Sequence, residues 1–181
     1  GPFVRGMFLM SYNQFIEEVN TFSRIQAIQG QLSWDQQVLM PPKGAAARAE
    51  TLAWLSGRAH ETITSNKMGN LISDLEKYIN DLDENQRTNV IEMRRTYDKS
   101  TKLPAEFIER FTKARSKGMG IWAKARKNND FSLFAPILSE LVELAREKIT
   151  YLDNGKTPYD TLLDDYEMGL TVEYLDPLFA D

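Results

Sequence analysis

Residues 12–34 read YNQFIEEVNTFSRIQAIQGQLSW, and this stretch decides the class of fold. Its apolar side chains recur mostly at steps of three and four residues, which places them on one face of a helix. The recurring residues are Phe15, Ile16, Val19, Phe22, Ile25, Ile28 and Leu32. Pro41 and Pro42 then interrupt the pattern, because Pro cannot enter a helix interior. The stretch therefore predicts a long amphipathic helix that ends before a Pro-Pro turn.

The same helical period continues through the rest of the chain, without the alternation that is typical of strands. It predicts further helices over residues 45–62, 70–80, 83–99, 104–127, 131–149, 159–166 and from Thr171 onward. Asp83 or Asn85 is the expected N-cap of one helix, and Pro136 predicts a kink or a helix start near Ala135. Trp122 is expected to be buried. Short connections between long helices favour antiparallel neighbours, so the predicted fold is all-α.

The composition excludes several chemistries. The chain has 181 residues, no Cys and one His, His60. Without Cys there is no disulfide, thiolate metal site or Cys nucleophile, and one His cannot complete a two-His zinc motif. The net charge of −4 gives no general attraction to nucleic acid or anionic membranes. No apolar run approaches the roughly 20 residues of a membrane span. A site for a harder cation made of Asp and Glu stays open.

The two ends of the chain carry further expectations. Residues 1–6 are interpreted as an expression-tag remnant, with Met7 or Met10 near the native start. Residues 7–181 are expected to form one helical domain. Because the amphipathic pattern is still running at Asp181, the sequence favours a chain that was cut there. No secretory signal is visible, and the lack of Cys fits the cytoplasm.

Residues 94–127 are strongly basic. They contain eleven Lys and Arg and three acids, a net charge of +8, so the rest of the chain carries −12. Such a segment, with Phe111 and Trp122 nearby, is able to follow a phosphate backbone. The alternative is a solvated helix face, or one paired with acidic neighbours. We favour the alternative, because the basic residues are spread around the helix and the overall charge is negative.

Three other groups are candidates for a role. The carboxylates of Asp164, Asp165 and Glu167 flank Tyr166 and are able to bind a divalent cation. They lack the alternating spacing and Gly turn of a Ca²⁺ loop, so we favour hydrogen bonds and salt bridges at a helix end. His60 precedes Glu61, but Thr64 occupies the position of the second His of H-E-x-x-H, so we expect His60 on a helix surface or at an interface. Asp35 is expected to cap a turn or to form a salt bridge, and Trp34 to lie in the core.

The order of several short motifs points further. They are LSWDQ (32–36), MPP (40–42), GAAARAE (44–50), LS (55–56), AHE (59–61), RRTYD (94–98), LP (103–104), Trp122 with AR (125–126), NDF (129–131), FAP (134–136), PYD (158–160), LDDYEMG (163–169) and Thr171. Together they resemble the N-terminal region of the M32 metallocarboxypeptidases, the carboxypeptidase Taq family. The resemblance runs from about residue 12 to Asp181. It departs at Met168, where the family commonly has Pro.

The resemblance implies a specific parent protein. Members of that family are much longer, mostly helical and usually homodimeric, and they remove C-terminal amino acids from peptides. A metal, typically zinc or cobalt, is held by two His of an H-E-x-x-H helix and a distant Glu, and it activates water. Those positions lie beyond Asp181, so the resemblance implies no catalytic residue, metal ligand or cofactor in this chain. Its expected partners are the remainder of the parent polypeptide and a peptide substrate.

The resemblance also implies a place in the parent, namely a wall of the substrate groove. Trp34, Asp35, Arg48, Asp164, Asp165, Tyr166 and Glu167 are the candidates for shaping that groove. Two alternatives stay open, a stand-alone helical interaction module without catalysis and a nucleic-acid binder that uses residues 94–127. A cut chain would expose apolar surface, so we expect self-association at high concentration.

Overall fold

The computed structural model describes residues 2–153 and 155–180, and within them it contains eight α-helices and no strand. The helices are α1 (Pro2–Val38), α2 (Ala45–Ile63), α3 (Asn66–Glu76), α4 (Glu84–Thr101), α5 (Ala105–Asn128), α6 (Ala135–Leu152), α7 (Pro158–Leu163) and α8 (Val172–Phe179). Short 3-10 turns lie at Pro42–Gly44, Ile79–Asp81 and Phe131–Leu133. The all-α prediction is confirmed. Gly1 lies outside the described residues, and the tag interpretation of residues 1–6 stays a prediction.

Local hydrogen bonds explain where several helices begin. The Asp83 carboxylate accepts the Gln86 N–H at 2.8 Å, and the Gln86 side chain accepts the Asp83 N–H at 3.2 Å. This reciprocal capping box satisfies two donors at the start of α4, so Asp83 is the cap and Asn85 is not. Helix α6 begins at Ala135, which places Pro136 in its first turn. Pro is tolerated there because the first N–H groups have no partner within the helix.

The prediction of a helix over residues 70–80 was wrong at both ends, since α3 spans Asn66–Glu76. The Ser65 hydroxyl accepts the Met68 N–H at 3.1 Å and caps the helix four residues earlier than expected. Gly69, which falls just outside the predicted helix of residues 70–80, lies inside α3. A Cβ atom there would stand 2.8 Å from Cζ of Tyr97 on α4. The Gly therefore marks a close approach between two helices.

Two apolar clusters form the interior. The first lies among helices α1, α2, α3 and α4 and contains Phe15, Phe22, Ala59, Ile63, Met68, Leu71, Ile72, Leu75, Leu82 and Val90. The second lies between α5 and α6 and contains Leu103, Phe107, Ala114, Ile137, Leu144 and Leu152. The Phe107 ring stacks on Phe111 at 5.6 Å between centroids and meets the Tyr151 ring edge-on at 5.4 Å. Burial of these side chains is the main stabilising contribution to the fold.

Helix α2 connects the two clusters, because it packs against both α1 and α5. Its buried positions include Ala49, Ala53 and Gly57, and residues this small let neighbouring helices approach closely. As a result, the C-terminal end of α1 and the middle of α5 lie side by side on α2. This arrangement positions the residues described below.

Several side chains that were expected in the core are exposed. Trp122 is 46% exposed, so the prediction of its burial was wrong, and Ile28, which shares the apolar face of α1, is 48% exposed. Helical spacing identifies residues on a common face, but it does not show how far the neighbouring helix covers that face. Of the two locations expected for His60, the helix surface is wrong, because the side chain is buried and contacts the Leu103 backbone before α5.

Candidate functional site

The end of α1 is fixed to the start of α2 by one arginine. An Arg48 Nη atom donates to the Asp35 carboxylate at 2.5 Å, and the other Nη donates to the Leu32 carbonyl oxygen. The guanidinium is largely buried and the carboxylate is about one-third exposed. Of the two roles expected for Asp35, the structure shows the salt bridge. The pair holds the two helices at a fixed angle beside α5.

Trp34 does not lie in the core, which corrects the sequence-based expectation. Its side chain is 58% exposed, and Val38 and Leu39 near the end of the same helix are also exposed. Asp35 pairs with Arg48, and the neighbouring Trp34 is more than half exposed. The end of α1 therefore presents apolar side chains outward.

Polar side chains connect α1, α2 and α5 across long sequence separations. The Gln36 amide donates to the Ser116 carbonyl oxygen, and the Ser116 hydroxyl donates back to the Gln36 amide oxygen, both at 2.9 Å. Closer to the middle of α1, the Ser56 hydroxyl accepts from Gln29 at 2.7 Å and from Thr112 at 2.9 Å. Sequence reasoning missed these residues, because partners 80 positions apart leave no local pattern.

A cleft opens between the end of α1, the start of α2, α5 and α6. We call it the α5 cleft, and it has a volume of about 530 Å³. Its lining is mainly apolar and comprises Gln36, Gln37, Met40, Ala45, Arg115, Gly118, Met119, Gly120, Trp122, Ala123, Phe134 and Leu141. Arg115 is the only charged residue among them. The Arg126 guanidinium lies 5.4 Å from the centroid of Trp122. A concave apolar surface with few polar groups is typical of a binding site.

The acidic cluster lies elsewhere, after α7, and two of its members are paired with cations. The Asp164 carboxylate is 3.1 Å from both Arg95 and Lys99. The Asp165 carboxylate is 2.6 Å from Lys99 and also contacts Lys148 on α6. These ion pairs, which sequence reasoning favoured over cation binding, hold the end of α7 against α4 and α6.

The other two members of the cluster, Tyr166 and Glu167, are exposed and make no ion pair within the described residues. Tyr166 is 88% exposed. No hydrogen bond or ion pair in this part of the chain joins the cluster to Trp34, Asp35 or Arg48. The seven candidate residues therefore form two separate groups, one at the end of α1 and one after α7.

The ion pairs with Arg95, Lys99 and Lys148 determine the pKa shifts of Asp164 and Asp165 together with burial. Burial alone would raise the pKa of Asp165, but hydrogen bonds from Lys148 and Lys99 outweigh it and keep that pKa below its usual range. Burial also opposes ionisation of Asp164, yet the Gly169 N–H and Lys99 lower its pKa. Both carboxylates are therefore ionised near neutral pH, where they neutralise nearby cations.

His60 is buried and hydrogen-bonded between two helices. Burial lowers its pKa, and a hydrogen bond with the Leu103 backbone and the nearby Glu61 charge oppose this shift without reversing it. The imidazole is thus neutral and engaged between α2 and the start of α5. Across the described residues, no group of three His, Asp or Glu side chains is arranged to hold a metal ion.

The basic segment is paired in its first half and unpaired in its second. Ion pairs form at Arg94, Arg95, Lys99, Arg110 and Lys113, and the acidic partners include Glu76, Asp164, Glu147 and Glu50. From residue 115 to residue 127, α5 carries five cations, and none of them forms an ion pair within the described residues. Pairing with acidic neighbours thus accounts for part of the segment, and nucleic-acid binding stays a prediction.

Comparison with known proteins identifies the class to which this helical arrangement belongs. Residues 14–181 match the family model described as Carboxypeptidase Taq (M32) metallopeptidase. The chain belongs to this family, as its motifs indicated. None of the helices in the described ranges is long and apolar enough to span a membrane.

Individual relatives show how much of the family this chain covers. It is 33% identical over 168 residues to Carboxypeptidase 1 of Bacillus subtilis (strain 168), covering 93% of this chain and 34% of that protein. The crystal structure named BsuCP has a TM-score of 0.91 and 32% identity, covering 94% of this chain and 34% of that one. The Trypanosoma cruzi metallocarboxypeptidase 1 has a TM-score of 0.74 and 37% identity, with the same shares. The chain spans about a third of the length of these relatives.

Proposed function

We propose that this chain is the N-terminal helical region of a metal-dependent carboxypeptidase that removes C-terminal amino acids from peptides. The family match over residues 14–181 carries this proposal. The relatives are about three times as long as the matched segment. The additional length of the relatives accommodates a separate catalytic portion. The resemblance implies that this catalytic portion follows the helices described here.

Within that protein, the chain forms a wall of the substrate groove. The α5 cleft supports this role, because it offers apolar and aromatic surface together with the cationic Arg115. Apolar surface suits the side chains of a peptide, and a guanidinium suits a carboxylate. Trp34 extends the exposed apolar surface, while Asp35 and Arg48 fix the end of α1 that bears it.

The acidic cluster shapes a second part of the wall, after α7 and apart from the α5 cleft. Asp164 and Asp165 brace the end of α7 against α4 and α6. Tyr166 and Glu167 then project outward from a braced segment. We assign the first two a positioning role and the last two a role in contact with the rest of the protein.

The described residues do not fit the metal that the family implies. One His, buried and hydrogen-bonded to the Leu103 backbone, cannot replace the two His of an H-E-x-x-H helix. Zinc or cobalt would therefore be held by residues outside this chain, and the chain alone is inactive. No step of the reaction is assigned to its side chains.

A chimeric enzyme tests the proposed role. The matching third of the Bacillus subtilis Carboxypeptidase 1 is replaced by residues 14–181, and metal-dependent release of C-terminal amino acids from a peptide is measured. We expect an active chimera. Trp122→Ala in the cleft should raise KM severalfold with metal content unchanged, whereas Trp54→Ala, which removes a similarly exposed Trp from α2, should not. A chimera that folds and binds metal but releases no amino acid would contradict the proposal.

The inactivity of the isolated chain needs a separate measurement. After dialysis, we expect no stoichiometric zinc or cobalt and no release of amino acids from a blocked dipeptide. Stoichiometric metal, or metal-dependent release, would show that this chain holds catalytic residues of its own.

A stand-alone interaction module is the second candidate. It is favoured by the completeness of the interior, since no buried side-chain nitrogen or oxygen in the described residues lacks a partner. The coding sequence distinguishes the candidates. A reading frame that continues into an H-E-x-x-H helix excludes the module, and a stop codon after Asp181 favours it.

A further inference from the structure

The α5 cleft is an apolar surface with two cationic side chains at its edge, Arg115 in its lining and Arg126 over the Trp122 ring. Arg115, Met119, Trp122 and Arg126 follow one another at steps of four, three and four residues, so they share one face of α5. Both arginines lack an acidic partner among the described residues, and each lies over an aromatic ring. No carboxylate lines the cleft. An occupant with negative charge and apolar side chains would complement this surface.

The interior of the cleft is open because its walls carry small residues. A Cβ atom added at Gly120 would have no neighbour within 4 Å. A Cβ atom at Gly118 would meet only Leu141 and Ile137 of α6. Along α5 the lining runs from Arg115 to Ala123, about 12 Å at 1.5 Å per residue.

Helix α8 has the complementary properties. Its exposed side chains include Tyr174, Leu178 and Phe179, and none of its residues is buried. Residues 157–180 contain six acids and no Lys or Arg. On α8 itself, Glu173 and Asp176 form no ion pair within the described residues. Its eight residues extend about 12 Å, which matches the length of the cleft along α5.

Helix α8 is only lightly held by its own chain. The main tie is at its start, where the Asp160 carboxylate accepts the Val172 N–H at 2.7 Å. The Thr171 hydroxyl caps its first turn. No residue of α7 or α8 lines the α5 cleft. The two surfaces therefore stay apart within one chain.

We propose that α8 of one copy of this chain docks into the α5 cleft of a second copy, and that the exchange is reciprocal. The same two patches then meet twice, which closes a symmetric dimer. Phe179 and Leu178 enter beside Trp122. Glu173 and Asp176 face the two cations at the edge of the cleft, Arg115 and Arg126. The contact specifies the surfaces behind the expected self-association, and it does not depend on the peptidase proposal.

Sedimentation of the 181-residue chain is the first test. We expect a monomer–dimer equilibrium that weakens as salt is added, since exposed charges are screened. The variants Arg115→Glu/Arg126→Glu and Glu173→Lys/Asp176→Lys should each weaken dimerisation at least tenfold. Leu178→Ser/Phe179→Ser should do the same at any salt concentration. Arg24→Glu is the matched control, because it reverses an exposed charge on α1 about 18 Å along the helix from Gln36 and should have no effect.

Mixing the two charge-reversed variants gives the decisive result. In the mixed dimer, the acidic α8 of one variant meets the unaltered cleft, and the basic α8 of the other meets the acidic cleft. We expect the mixture to associate more tightly than either variant does alone. Far-ultraviolet circular dichroism of each variant checks folding. A peptide of residues 170–180 should also compete with dimerisation of the unaltered chain.

Three outcomes would overturn the proposal. They are a monomer at several hundred micromolar protein, dimers that both charge reversals leave intact, and folded variants that fail to associate when mixed. The chimeric enzyme is assayed independently, so failure here and failure of the peptidase proposal are distinguishable.

Discussion

Replacing Gly69 by Ala tests the packing of α3 against α4. The added Cβ atom would lie 2.8 Å from Cζ and 2.5 Å from the hydroxyl oxygen of Tyr97, distances that require one helix or the ring to move. The ring has little freedom, because it packs on the first apolar cluster and carries the Arg94 guanidinium over its face. Overpacking of this kind costs about 1–3 kcal/mol, whereas Ala gains roughly 1 kcal/mol over Gly in a helix interior.

Gly30→Ala is the matched control, since a Cβ atom at Gly30 in α1 has no neighbour within 4 Å. It should raise the free energy of unfolding by about 0.5–1 kcal/mol. Gly69→Ala should be about 1–3 kcal/mol less stable than Gly30→Ala. At about 2–4 °C per kcal/mol for a chain of this size, its Tm should be at least about 2 °C lower.

The Tyr97→Leu background separates the steric cost from other effects. Leu at this position removes the ring atoms that meet the new Cβ, so Gly69→Ala should lose most of its penalty there. Urea denaturation and thermal melting, followed by circular dichroism, provide both measurements. The reasoning is refuted if Gly69→Ala is as stable as Gly30→Ala, or if its cost is the same in the Tyr97→Leu background as in the unaltered chain.

Other substitutions test the electrostatics and the capping. Because the pKa of His60 is lowered in the folded chain, its contribution to stability is present above about pH 6.5 and is lost as the pH falls; His60→Gln should flatten the dependence of the urea midpoint on pH between about pH 7 and pH 5. The lowered pKa of Asp165 contributes stability above about pH 4 that is lost below it, so Asp165→Asn should show a smaller loss on acidification. Asp83→Ala should cost about 1 kcal/mol in urea denaturation by removing the α4 cap, whereas Asp81→Ala, a neighbour outside the capping box, should cost little. A urea midpoint that depends equally on pH with and without the His60 or Asp165 side chain would contradict the pKa assignments. Equal losses of stability for Asp83→Ala and Asp81→Ala would contradict the role of Asp83 as the cap.

The sequence specified the helices well, because their limits depend on local chemistry. Pro136 and the Asp83 capping box act within one turn, and for each the sequence offered two alternatives that included the observed one. Gly69 was misread, because Gly in a helix is normally a breaking signal and the Tyr97 ring that requires it lies 28 positions away. The burial of Trp34 and Trp122 was predicted wrongly, because the spacing of apolar residues indicates which helix face they share but not whether another helix covers that face. The pairing of Asp35 was predicted as a type of contact, but Arg48 as its partner was not.

The α5 cleft could not be predicted from the sequence either, because it results from helix packing and no local motif marks it. The small residues of α2 draw α5 and α1 together, and the Gln36–Ser116 pair fixes their distance. Gly118 and Gly120 then leave the space beside Trp122 open. Such a surface is able to accept either a peptide or α8 of a second copy, and both would use Arg115. Peptide binding and dimerisation should therefore compete, and a cleft variant such as Trp122→Ala should weaken both while leaving the two apolar clusters intact.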